Sequence, residues 1–155
     1  MTEGYPEEIL RGISKNDQQF ITPEGYPTQA AFQFDDYDAT SREDEYCELS
    51  INWVDDEGAI KVLLNQMNTR KNCPQFQGGY CRFPRVILLS ALRDYFSNKH
   101  LMYERHPIEA DPENGVSENQ YHGNILMKNG LSKQARTNIQ VTLAGIAGVV
   151  IPREA

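Results

Sequence analysis

Tyr46-Cys47-Glu48-Leu49-Ser50-Ile51-Asn52-Trp53-Val54 is the stretch on which the fold turns. Cys47, Leu49, Ile51 and Trp53 recur at every second position, with Glu48, Ser50 and Asn52 between them. A side-chain period of two belongs to a β-strand. One apolar and one polar face fit an antiparallel sheet with one side in water.

The period changes immediately afterwards. Asp55 or Asp56 is a natural N-cap, since its carboxylate can accept the free N–H groups of a first helical turn. Ile60, Leu63, Leu64 and Met67 then follow at i, i+3, i+4 and i+7, which predicts an amphipathic helix over 56–68. A second helix is expected over 133–147, capped by Ser132, with Ala135, Ile139, Leu143 and Ile146 on one stripe and Gly148 as its stop.

Elsewhere the pattern is shorter. Ala30–Phe34 alternates and predicts a strand; residues 35–45 predict an acidic hairpin loop. The loop-rich N-terminal segment 1–29 predicts a short helix near 6–11 and a brief strand at 19–22. In 80–96 a strand bent at Pro84 and running to Leu89, then a helix from Ser90 to Phe96, is preferred. The alternative is a helix from Pro84 to Phe96. Residues 98–106 are expected to be extended, 107–124 to hold a long polar loop, and Ile125–Met127 to be a short strand. Together these predict a single α+β domain over 1–155. Its sheet would be antiparallel or mixed, of about four to five strands, with the two main helices packed on one face.

Charge is distributed unevenly. The chain has 155 residues and a formal net charge of −7. Residues 35–57 hold ten acids against one base, a block of −9, while 61–105 hold eight bases against two acids, a block of +6. The acidic balance argues against a nucleic-acid partner. No apolar run is long enough to span a bilayer, and MTEGYPEEILRG has neither the basic nor the apolar region of a signal peptide. Three cysteines, at 47, 73 and 81, fit reduced thiols and a cytoplasmic location. Their spacing is not that of a zinc site, and no metal or cofactor is expected.

Four groups of residues are candidates for function. His122, in Tyr121-His122-Gly123-Asn124, sits where a loop enters a strand and titrates near neutral pH. Set against this, His122 is an ordinary turn residue beside a glycine that permits positive φ. Arg11, before Gly12, could clamp an anion or be a surface arginine at a helix end. Asp36, Asp38 and Asp44 belong to the acidic segment, which fails the calcium-loop pattern: Ser41 and Cys47 stand where glycine and glutamate are needed. Arg82 and Arg85 belong to a basic stretch interleaved with Phe76, Tyr80 and Phe83, suited to phosphates or to balancing the acidic block. No nucleotide loop, metalloprotease helix or nucleophile elbow occurs.

Two functions remain open. One is a small accessory or regulatory protein that binds another protein and uses its acidic face to steer the encounter. The other is a small enzyme or an anion- or nucleotide-binding domain built on His122, Asn124 and Arg11. The second requires His122 and Arg11 to share one pocket.

Overall fold

The structure is a computed structural model that describes residues 5–36, 46–68, 71–114 and 116–153. Its strands are β1 (Glu8–Ile13), β2 (Asp35–Asp36), β3 (Tyr46–Trp53), β4 (Met67–Asn68), β5 (Cys73–Pro74), β6 (Gly79–Pro84), β7 (Leu101–Arg105) and β8 (His122–Lys128). The helices are α1 (Gly58–Leu64), α2 (Arg85–Ala91), α3 (Arg93–Ser97) and α4 (Lys133–Ile146). Five strands form an antiparallel sheet in the order β6-β1-β3-β8-β7, and β2 lies beside the start of β3. β4 and β5 make a separate two-residue ribbon. The architecture is α+β, as the sequence predicts.

β3 is the centre of the sheet. Cys47, Leu49, Ile51 and Trp53 all point into the main core with Ile9, Phe83, Ile125 and Met127. Ile139 and Leu143 of α4 and Leu88 of α2 close that core from the same side. Ser132 caps α4 as expected, its hydroxyl accepting from the Ala135 N–H at 3.1 Å. At α1 the N-cap is Glu57, with no side-chain cap bond; Asp56 before it accepts from the Gly58 N–H at 2.8 Å.

The opposite face of the sheet is covered rather than open to water. Ala59 and Leu63 of α1 pack there with Leu10, Tyr80 and Tyr121. The two helices thus lie on opposite faces, not on one. Ile9 and Leu10 are both fully buried, one facing each way. That double burial explains why residues 6–11 form β1 and not a helix. A strand buried on both sides shows no alternation, and a short apolar run cannot reveal its own period.

Three further elements differ from expectation. Gln29–Phe32 is a 3-10 turn rather than a strand, and it lays Phe32 into the core. β6 ends at Pro84 and α2 starts at once, because proline's fixed φ ends the strand and leads into a first helical turn. β8 starts at His122, three residues before the predicted strand, and so ends the long loop early. The acidic loop at 37–45 lies outside the described residues. Among the described residues no helix is long and apolar enough to cross a membrane.

Candidate functional site

Arg11 and His122 do not meet. Arg11 is opposite Cys81 in the β1–β6 register, and Cys81 belongs to the main core. His122 is opposite Asn52 on β3, on the face that α1 covers. The sheet therefore separates them. Arg11 has a structural task. β2 pairs with the start of β3 and β1 with its end, leaving a gap at Ser50. The Arg11 Nη1 donates to the Ser50 carbonyl at 2.8 Å, and its Nε to the Ala31 carbonyl at 2.9 Å. A carbonyl in that gap would otherwise lack a strand partner.

His122 and Asn124 do share a face, two residues apart on β8. They adjoin a cleft of about 150 Å³ whose lining includes Ser50, Asn52, Gln66, Phe76, Asn119 and His122. Asn119 Nδ2 donates to Asn52 Oδ1 at 2.8 Å, and Asn52 Nδ2 donates to the Ala59 carbonyl at 3.2 Å. These bonds pin the 106–121 loop and α1 to the sheet. His122 Nδ1 lies 2.7 Å from the His106 carbonyl oxygen. A carbonyl can only accept, so Nδ1 carries the proton and Nε2 presents a lone pair. Burial holds the His122 imidazole below its ordinary pKa, against the raising effect of the His106 carbonyl. It is therefore neutral at pH 7. Asn124 donates to Glu104 Oε1 at 2.9 Å, while its buried Oδ1 has no partner among the described residues.

Gly123 is small for a reason other than its backbone angle. A Cβ there would stand 2.2 Å from Trp53 Nε1 and 2.4 Å from the Glu104 carbonyl oxygen. The indole N–H donates to that same carbonyl at 3.0 Å. Glycine lets this bond pass directly across β8, and positive φ is not needed.

The basic candidates are bound to the fold. Arg82 forms a two-pronged pair with Glu8, at 2.7 and 2.6 Å. Arg85 donates from Nε to the Pro6 carbonyl at 3.0 Å. Asp38 and Asp44 lie outside the described residues, and of Asp36 only the backbone pairing with Cys47 is described. The two charge blocks meet where Arg105 grips Asp55 through both carboxylate oxygens at 2.9 Å. Burial pushes the Cys81 thiol up to about 12, so it is inert as a nucleophile. Among the described residues no cluster of three or more histidine, cysteine, aspartate or glutamate side chains could hold a metal.

A larger concavity was not visible in any one stretch of sequence. It is a groove of about 680 Å³ between α2–α3 and β7, lined mainly by Tyr5, Val86, Leu89, Phe96, Met102 and Tyr103. Arg93 and Lys99 stand at it, and among the described residues no carboxylate lines it. Its aromatic wall is continuous: Tyr103 lies 5.5 Å from Tyr5 and 4.8 Å from Phe96, between ring centroids. The Tyr103 hydroxyl is buried and has no partner among the described residues. Val86 is 62% exposed and its neighbour Ile87 49%, so apolar surface continues outward from the groove along α2. Lys99 ends α3 at φ +61°, a left-handed position that commonly takes glycine.

No family model, no curated protein and no solved structure matches this chain.

Proposed function

We propose that this protein is a non-catalytic interaction module, and that the groove between α2–α3 and β7 holds an apolar, carboxylate-bearing segment of another protein. An apolar trough whose surface continues onto exposed Val86 and Ile87 is the form of a docking site rather than of a reaction centre. Among the described residues its charged lining groups are two cations, on a chain of net charge −7. That local reversal of sign selects for an acidic partner and speeds capture.

Lys99 is the observation that carries the reading. A lysine in the left-handed region costs about 1–2 kcal/mol relative to glycine. Backbone strain of this kind collects where a side chain is used. At this position the side chain makes no hydrogen bond or ion pair among the described residues, and it stands at the groove. The enzyme reading lacks comparable support, because Arg11 and His122 lie on opposite faces.

The test is site-specific photo-crosslinking in the native host, followed by affinity measurement on the purified pair. A crosslinker at Val86 should capture a partner that one at Lys61, on α1, does not. Val86→Glu places a carboxylate in the first turn of α2, where the helix dipole favours it, so the fold should persist while binding falls. A partner captured equally from both positions, and bound equally by Val86→Glu, would exclude the groove.

A further inference from the structure

The cleft on the other face of the sheet carries a separate inference. It has the form of a site for a small molecule, and its chemistry is uncharged throughout. The floor is Ser50, Asn52 and His122; Gln66, just after α1, and Asn119 of the 106–121 loop approach it, and Phe76 closes one wall. Among the described residues no acid, lysine or arginine lines it. A phosphate or carboxylate would find no countercharge there, and burying an uncompensated charge is strongly unfavourable. At about 150 Å³ the cleft is well below the 300–1,000 Å³ usual for drug-sized ligands. It accommodates one planar ring, without an attached sugar and phosphate.

The internal hydrogen bonds leave a defined set of groups open. Asn52 and Asn119 bond to each other and to the backbone. His122 donates from Nδ1 to the His106 carbonyl, and its Nε2 has no partner among the described residues. The Ser50 hydroxyl likewise makes no hydrogen bond among them. Beside them on the same face, Asn124 is 0% exposed and its Oδ1 is an unpartnered acceptor. Buried acceptors without donors are rare in folded proteins and call for a missing partner. The open groups are thus acceptors above all, beside an aromatic wall.

We infer that this cleft binds a single-ring, uncharged amide or nitrogen heterocycle, whose N–H donates to His122 Nε2 and whose ring packs on Phe76. The site is independent of the docking groove, since the sheet lies between them.

Protonation of His122 removes the acceptor lone pair, so binding should be lost on acidification. The titratable groups near the ring are His106, 5.4 Å away between ring centroids, and Glu104 of β7. From α1, the residues flanking the β4–β5 ribbon and the loop, the cleft receives, among the described residues, uncharged side chains: Leu63, Gln66, Gln75, Phe76, Ile108 and Asn119.

The experiment is an NMR titration of the isotope-labelled chain with benzamide and with uracil, and with benzoate as the charged twin of benzamide. Saturable shifts at His122, Asn119 and Phe76 are expected with benzamide and uracil, and none there with benzoate. His122→Phe should abolish them while keeping the amide spectrum of a folded chain. If that variant does not fold, the wild-type titration is repeated below the measured His122 midpoint, where loss of binding supports the site and unchanged binding overturns it. Absence of saturable shifts at the solubility limit would also overturn it. So would benzoate binding as well as benzamide, or shifts confined to Val86 and Tyr103.

Discussion

Replacing Lys99 with glycine separates what this residue does for the fold from what it does for a partner. Lys99 has φ +61°, and its amide closes the α3 terminus on the Phe96 carbonyl at 3.1 Å. Glycine keeps that backbone bond and removes a left-handed penalty of about 1–2 kcal/mol. It also adds freedom to the unfolded chain, worth about 0.5–1 kcal/mol in the other direction. Among the described residues the side chain makes no hydrogen bond or ion pair that would be lost. Lys99→Gly should therefore be neutral to about 1 kcal/mol more stable, read as a rise in the urea midpoint at constant slope. Its effect on binding should be opposite in sign. An exposed cation facing a partner carboxylate contributes up to about 1 kcal/mol, so affinity should fall about two- to fivefold, mostly through slower association at low salt. A loss of more than about 1 kcal/mol of stability would mean that the lysine is held there by the fold, and the functional argument from its backbone would fail.

Other perturbations probe the rest of the structure. Gly123→Ala forces a methyl group against the Trp53 indole and the Glu104 carbonyl; overpacking and the broken indole bond should together cost about 2–5 kcal/mol. The cost should shrink in a Trp53→Phe background, and an unchanged cost in that double-mutant cycle refutes the contact. Arg11→Met removes the bonds to the Ser50 and Ala31 carbonyls and should destabilise by about 1–3 kcal/mol in urea, with benzamide and partner binding intact. His122, held below its ordinary value by burial, should show an NMR titration midpoint under 6.5. Its stabilising contribution is complete above that unfolded value and declines as pH falls from there through the folded midpoint. Glu8 is held below its usual value of 4.5 by the Arg82 hydrogen bond, so its contribution is complete above that pH and lost below it. Because both partners are more than a third exposed, Glu8→Gln should cost under about 1 kcal/mol at pH 7 in a urea titration.

What the sequence made legible follows from how each element meets its surroundings. β3 and α4 each present one apolar side, so their periods of two and 3.6 are written plainly in the residues. The second face of β3 was misread as wet, because Ser50 and Asn52 are polar; the structure covers them with α1 and a loop that bonds to Asn52. β1 hides its period by being buried on both faces. Pro84 marked a boundary correctly, but α2 begins there rather than at Ser90, and only packing of Leu88 into the core decides the matter.

The sites follow the same logic. His122 stood out because a histidine beside a glycine is conspicuous. Asn52 and Asn119, which complete its cleft, are ordinary residues distant in sequence and joined only by the sheet and the returning loop. Arg11 drew attention by its chemistry, and its partners include two backbone carbonyls that no sequence pattern records. The groove was illegible because Tyr5, Val86, Phe96 and Tyr103 come from the segment before β1 and from α2, α3 and β7. Lys99 could not be recognised at all without its backbone angle.

The most direct measurement is the dissociation constant of the purified partner, captured through Val86, for the wild-type chain and for Val86→Glu at matched stability. A carboxylate placed in an apolar groove that receives another carboxylate-bearing segment should weaken binding at least tenfold, about 1.4 kcal/mol, and most strongly at low salt. Equal constants for the two chains, with both folded, would show that the groove is not where the partner sits.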